Sequence, residues 1–347
     1  MIKSLSIKNF RCFKDAKIDG LRRINVVVGK NATGKTALLE ALFLTAGGSP
    51  VVVLKLRAMR GMGAQVQVDN NTQSRLWEDL FFRFSTEAAI HIHAVGSAQD
   101  SRELFIKNIA VGSLTVPTKE QQEIAVDAPI EFTWRAEGQT EFVTQPKLTN
   151  EGLKFDNSPT KLRAVMFPAN FSLDPEETSK RLSDIRRHNQ LPLFLKTLQS
   201  VFPEVTDVSA ENNAGVWMVY ISTAHVSSQM IPMALHSAGV NRFVAMLLGI
   251  ATFPKGVVLI DEVDNGLYYK TLPNVWRALY TFASEYGTQL FVTTHSMECL
   301  TAAHEVLHNH KDDFSLVRAN AENGERWLDL FKGDKLDGAL ESGFELR

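Results

Sequence analysis

Residues 29–36 read GKNATGKT and satisfy GxxxxGK[ST] at every fixed position. The pattern suits phosphate. Gly29 and Gly34 let the backbone wrap closely around phosphate oxygens, and the N–H groups of Gly29, Lys30, Asn31, Ala32, Thr33, Gly34, Lys35, Thr36 and Ala37 supply fixed positive potential. Lys35 can reach the outer phosphates, and the Thr36 hydroxyl can ligate Mg²⁺. A second group follows far along the chain. The apolar run GVVLI ends in Asp261 and Glu262. One acid suffices for the metal, so Asp261 is assigned to Mg²⁺. The adjacent Glu262 is assigned to orienting and activating a water near the γ-phosphate. Thr293-Thr294-His295-Ser296 closes a further apolar run, and a histidine there can hydrogen-bond a γ-phosphate and sense its loss. Ser237-Ala238-Gly239-Val240-Asn241-Arg242 opens a helical stretch. There Ser237 and Gly239 can bind phosphate through a hydroxyl and a backbone N–H, or Ser237 can serve as an ordinary N-cap.

Such groups need strands that end on them. The β-branched run at 24–28 before GKNATGKT reads as a buried strand, and ALLEALFLTA after it as a helix stopping at Gly47-Gly48. Residues 51–160 alternate between apolar and polar, with Gly, Asn and Pro between segments, and predict an antiparallel sheet region. Another strand is expected at 161–168. Residues 174–201 read helical, capped by Asp174 with Pro175 in the first turn and divided at Pro192. From 216 strands alternate with helices: VWMVYIS, a helix over 237–252, GVVLIDE, a helix near 270–285, and QLFVTTH. A hairpin of FSLVRA and WLDLF follows, then a short helix near 334–342. The alternation implies an α/β fold with a partly parallel sheet. No heptad pattern persists, so no long coiled coil is expected.

Composition bounds the function classes. The 347 residues carry a net charge of −2, yet residues 1–60 hold twelve Lys/Arg against three acids, Asp15, Asp19 and Glu40. That excess suits an anionic ligand or nucleic acid, or simply a solvated face. Cys12 and Cys299 form no CxxC. The N-terminus MIKSLSIKNF has no apolar signal core, and the longest apolar run, 243–253, is too short to span a bilayer. A cytoplasmic protein without membrane contact is expected. His304, His308 and His310 read as a polar helix end, His91 and His93 as surface residues.

The set NFRCF, GKNATGKT, SAG, LIDEVDNGL and TTHS resembles the ABC-ATPase branch that holds RecF, the SMC proteins and the OLD family, and most closely the AAA-15/AAA-21-type ATPases of bacterial defence loci. The resemblance implies an ABC-ATPase head, a P-loop NTPase with a mixed sheet, an antiparallel β subdomain and a helical insertion. Its parts would be a phosphate-loop segment (1–50), an antiparallel β-rich segment (51–170), a helical insertion (171–215) and a lobe carrying the signature and acidic strand (216–347). It implies ATP and Mg²⁺ as ligands and a head-to-head dimer. Ser237 and Gly239 of one copy would complete the ATP site of the other, with Asn265-Gly266 crossing between them. SAGVNR departs from LSGGQ, and no glutamine is assignable to the Q-loop, where Asn170 or Ser172 would stand. OLD proteins carry a C-terminal TOPRIM nuclease. With about fifty residues after His295 and no DxD among them, this chain is expected to lack one. The expected function is an ATP-driven switch controlling a separate effector protein, and the alternative is a RecF-like DNA-binding ATPase.

Overall fold

The structure, a computed structural model, describes residues 1–62, 76–96, 101–109, 126–149, 152–156, 163–170 and 174–332. In chain order the strands are β1 (Ser4–Phe10), β2 (Phe13–Asp19), β3 (Ile24–Val28), β4 (Ile90–Val95), β5 (Arg102–Asn108), β6 (Val126–Asp127), β7 (Ile130–Ala136), β8 (Phe142–Thr144), β9 (Lys147–Thr149) and β10 (Gly152–Lys154), then β11 (Ala164–Phe167), β12 (Val205–Asn213), β13 (Val216–Thr223), β14 (Val226–Pro232), β15 (Val257–Ile260), β16 (Gln289–Thr293), β17 (Phe314–Glu322) and β18 (Glu325–Phe331). The helices are α1 (Lys35–Gly47), α2 (Val51–Met59), α3 (Pro175–Arg187), α4 (Leu191–Gln199), α5 (Ala238–Thr252), α6 (Leu272–Tyr286) and α7 (Met297–Leu307).

Every residue of β3 is buried because the strand lies inside a six-stranded sheet of order β11-β15-β16-β3-β17-β18, parallel except for β18. Successive side chains of a strand face opposite ways. Val26 and Val28 therefore join a core with α5, α6 and α7, while Val27 joins a second core with α1. That second core also holds the apolar face of the antiparallel sheet β2-β1-β4-β5-β7-β8. α1 is thus clamped between two sheets, which explains why it is buried from Ala37 to Gly47 with no polar stripe. The layers are antiparallel sheet, α1, mixed sheet and α5–α7. This α/β arrangement with a mixed and an antiparallel sheet agrees with the expected head fold.

Asp174 caps α3 by accepting from the amides of Glu176 and Glu177, with Pro175 in the first turn. The division of 174–201 falls at 188–190, where Asn189 takes φ 57°, and Pro192 begins α4. Three elements differ from expectation. Residues 51–59 form helix α2: Val52, Val53 and Leu56 fall on one helical face and bury against α1, so packing overrides the strand preference of VVV. β11 pairs in parallel with β15 and belongs to the mixed sheet, not to an antiparallel segment. Residues 205–213, within the expected helical insertion, form β12 of a third antiparallel sheet, β12-β13-β14. The helix expected near 334–342 and Ser172 lie outside the described residues. No helix among the described residues is long and apolar enough to cross a membrane.

Candidate functional site

β3 ends at the loop 29–34, and α1 starts directly behind it. Gly34 takes φ 106°, and a Cβ there would sit 2.7 Å from Phe13 and 2.9 Å from the Cys12 Sγ. The NFRCF turn, with Phe10 and Phe13 fully buried, is therefore the wall that shapes the loop. On another side Arg326 of β18 donates from Nε to the Ala32 carbonyl at 3.1 Å. Lys35 Nζ donates to the carbonyls of Gly29 (2.7 Å) and Lys30 (2.9 Å). Burial lowers its pKa below the ordinary lysine value, and the charges of Asp261 and Glu262 partly restore it.

Parallel pairing sets the acidic end of β15 beside β16, and β16 beside β3. Thr36 Oγ1 donates to Asp261 Oδ2 at 2.9 Å, joining residues 225 positions apart. Thr293 Oγ1 donates to Asp261 Oδ1 at 2.5 Å and accepts the Glu262 amide at 2.8 Å. One hydroxyl therefore orients both acids. Glu262 takes φ 53°, a left-handed conformation uncommon for glutamate, which turns the chain sharply after Asp261. Its carboxylate lies 3.6 Å from His295 Nδ1, and both side chains are open to solvent. Thr294 Oγ1 donates to Asp264 at 2.7 Å and accepts the Ser296 amide at 3.0 Å, which fixes the turn around His295.

Ser237 caps α5, accepting the Val240 amide at 3.4 Å. A Cβ on Gly239 would stand 2.6 Å from the Gly266 carbonyl oxygen, so the start of α5 presses directly on the Asn265-Gly266 turn. Asn265 Nδ2 also donates to the Ala169 carbonyl at 3.1 Å, next to Asn170. The structure thus gathers Lys35, Thr36, Asp261, Glu262 and His295 around one loop. Ser237 and Gly239 stand at the start of α5, against the Asn265-Gly266 turn.

Sequence reasoning missed the residue that ties these parts together. Arg242, 6% exposed, donates to the carbonyls of Asp261, Glu262 (3.0 Å), Pro168 (3.3 Å) and Ala169 (3.3 Å). Burial lowers its pKa, while Asp261, Glu262 and Asp264 counter that shift. The available signal was one arginine inside the apolar run AGVNRFVAMLLGIA. Thr293 lies within TTHS, where only His295 carries an expected role. The three arginines Arg11, Arg57 and Arg60 are consumed by ion pairs: Glu40, 1% exposed, binds Arg11 (3.1 Å) and Arg60 (2.6 Å), and Asp79 binds Arg11 (3.0 Å) and Arg57 (3.1 Å).

No group of three or more His, Cys, Asp or Glu among the described residues could hold a metal. His310 stacks on Tyr280 at 4.3 Å. His91 stacks on Phe105 at 4.3 Å and meets Glu103 at 2.7 Å. A cavity of about 500 Å³ opens along β11 between α2, α3 and α5, lined by Met59, Val165, Arg181 and Phe253 among others, and shares no residue with the phosphate loop.

Residues 1–56 match the AAA_15 family, described as "AAA ATPase domain", and residues 227–301 match AAA_21, "AAA domain, putative AbiEii toxin, Type IV TA system". An "ATP/GTP phosphatase" of Helicobacter pylori is 23% identical over 336 residues, covering 88% of each chain. The "DNA replication and repair protein RecF" of Acetivibrio thermocellus is 45% identical over 47 residues, covering 14% of this chain and 13% of its own. Among solved structures, an SMC head bound to the C-terminal winged-helix domain of ScpA aligns with TM-score 0.53 and 14% identity, over 97% of this chain and 99% of that one. An SMC head with an extended coiled coil, bound to the C-terminal domain of ScpA derived from Pyrococcus furiosus, aligns at 0.51 and 13% over 98% of each.

Proposed function

Taking the chain as an ABC-type ATPase of the AAA_15/AAA_21 kind with the fold of an SMC head, we propose that it binds and hydrolyses ATP as a nucleotide-driven switch. One observation carries the reading: Thr36 and Asp261, distant in sequence, meet at 2.9 Å beside the phosphate loop. A hydroxyl and a carboxylate are the hard oxygen donors that Mg²⁺ prefers, so these two residues fit that ion. Bound there, Mg²⁺ would neutralise developing phosphate charge.

Lys35 leaves the carbonyls of Gly29 and Lys30 for the β- and γ-phosphates, while the loop amides and the N-terminus of α1 hold the oxygens. Glu262 orients a water in line with the γ-phosphorus and accepts its proton as the water oxygen attacks. The bond to the β-phosphate oxygen breaks, and ADP and phosphate result. His295, beside Glu262, hydrogen-bonds the γ-phosphate. Ser237 and Gly239 of a second copy close the site, so that ATP draws two heads together and hydrolysis releases them. A separately encoded effector protein reads that change. The toxin–antitoxin description of the AAA_21 match supports placing the switch in bacterial antiphage defence.

A RecF-like DNA-binding ATPase is the second reading, favoured by the 47-residue RecF match and by exposed Lys8, Lys14 and Lys17 on β1 and β2. The pairing of Arg11, Arg57 and Arg60 with Glu40 and Asp79 weakens it. To test both, tagged Glu262→Gln is expressed in a native host and its native mass determined with Mg-ATP present. Two chains with a stoichiometric second protein support the effector switch. Two chains with nucleic acid alone support the RecF-like reading, whose DNA affinity must fall steeply with salt. A monomer with ATP bound refutes the shared site.

A further inference from the structure

We propose that Thr293 is a positioning residue that sets the metal specificity of the nucleotide site: by holding one oxygen of Asp261 it makes the site accept Mg²⁺ and discriminate against Ca²⁺. The inference rests on the nucleotide-site reading above and adds a choice of ion to it. Asp261, Glu262 and Asp264 follow one another closely after β15. Carboxylates gathered in this way suit Ca²⁺, which takes about six to eight oxygens, some of them in pairs from one carboxylate. Mg²⁺ instead uses one or two carboxylates and fills its shell with water and substrate phosphate. Where the fold sends each carboxylate therefore decides between the two ions.

The end of β16 does the sorting. Thr293 Oγ1 donates to Asp261 Oδ1 at 2.5 Å, and Thr294 Oγ1 donates to Asp264 Oδ1 at 2.7 Å. The Glu262 carboxylate stands 3.6 Å from His295 Nδ1. Consecutive residues at one strand end thus draw off all three acids. What remains beside the phosphate loop is Asp261 Oδ2, which accepts from Thr36 Oγ1 at 2.9 Å. The two oxygens of Asp261 are tied to hydroxyls on different elements, β16 and α1, so the carboxylate does not swing to present both to one ion. Thr293 is itself held fast. It is fully buried, its hydroxyl accepts the Glu262 amide at 2.8 Å, and its carbonyl accepts the Val263 amide at 3.0 Å. A hydroxyl has a single proton to give, and here it goes to Asp261. Hydrogen bonds to a carboxylate are stronger than those between neutral groups. The absence, among the described residues, of any group of three or more His, Cys, Asp or Glu able to hold a metal agrees with this sorting.

The test uses the full chain and AMP-PNP, an ATP analogue that is not hydrolysed, titrated by calorimetry with Mg²⁺ or with Ca²⁺. Wild type is expected to bind the Mg²⁺ complex more tightly. Loss of a residue that orients a metal ligand typically costs about ten- to a hundred-fold in metal affinity. In Thr293→Val the Mg²⁺ complex should therefore weaken by about ten-fold or more, while the Ca²⁺ complex holds or gains. Thr293→Ser keeps the hydroxyl and should keep the wild-type ratio. The ratio is the readout because a general loosening of the site weakens both complexes alike. Equal affinity of wild type for the two complexes, an unchanged ratio in Thr293→Val, or a Thr293→Ser as unselective as the valine variant overturns the proposal. The first of these needs no variant, so the test stands even where Thr293→Val does not fold. Failure of AMP-PNP to bind with either ion overturns the nucleotide-site reading and this inference with it, whereas binding without preference overturns this inference alone.

Discussion

Replacing Arg242 with methionine keeps the length and apolar stem of the side chain but removes every donor. Four carbonyls lose a partner: those of Asp261 and Glu262 at the acidic end of β15, and those of Pro168 and Ala169 after β11. The carbonyls of Glu262 and Ala169 keep Asn265 as donor, so those of Asp261 and Pro168 are left unpaired, at about 1–3 kcal/mol each. Relief from burying a guanidinium offsets part of this. The net expectation is a loss of about 2–4 kcal/mol, seen as a Tm drop of roughly 3–8 °C. The functional loss should be larger than stability alone predicts, because the Glu262 backbone is one of the released groups. A displacement near 1 Å at a reacting group can cost roughly a hundred-fold in rate, so kcat falls by about ten-fold or more while KM changes little. Arg242→Lys brings one compact ammonium that cannot span four carbonyls, and should fall between wild type and methionine on both scales. Thermal unfolding and steady-state ATP turnover of the three proteins decide the matter. Native kcat in Arg242→Met, with or without a lowered Tm, refutes the argument that this arginine positions the acids.

Thr36→Val removes the hydroxyl that meets Asp261 and should lower metal-dependent turnover by roughly a hundred-fold, while nucleotide-free stability shifts by about 1 kcal/mol or less; turnover against Mg²⁺ concentration reads the first and denaturant unfolding the second. Gly239→Ala places a methyl 2.6 Å from the backbone oxygen of Gly266, which cannot swing aside. A cost of about 1–3 kcal/mol is expected, with faster hydrogen exchange at amides 264–267; unchanged exchange would show that the turn yields freely. Burial raises the Cys299 thiol from 9.0 to about 12. Between those values the unfolded chain gives up the proton and the folded chain keeps it. Stability therefore falls as pH rises from about 9 to about 12, by about 1.4 kcal/mol per pH unit for this group. Cys299→Ala should flatten that part of the pH–stability curve, measured by denaturant unfolding.

The phosphate loop and the acidic strand end were legible because their chemistry demands local residue types at fixed spacing, next to strands buried on both faces. β3, β15 and β16 are short apolar runs for that reason. α2 was not legible, since VVV carries a strand preference and only contact with α1 decides its state. β12 hid because its sequence VTDVSAENN alternates only in part, with two adjacent buried residues and a polar end. The role of Thr293 depends on a hydroxyl meeting a carboxylate from another strand, and that of Arg242 on carbonyls from two separate loops. Neither leaves a local pattern. The excess of basic residues at 1–60 misled in part: three of the arginines are paired with Glu40 and Asp79.

The place of β3 has a consequence for the order in which the molecule can be made. The strand that leads into the phosphate loop is finished by residue 28, yet its two neighbours are β16 and β17, which begin at residues 289 and 314. During synthesis β3 waits until β16 has been made before either side of it is hydrogen-bonded. Long-range pairings of this kind form late and slowly. A ribosome-bound chain short of β17 should therefore hold nucleotide poorly, so that the engine cannot start until strands made long after its phosphate loop are in place.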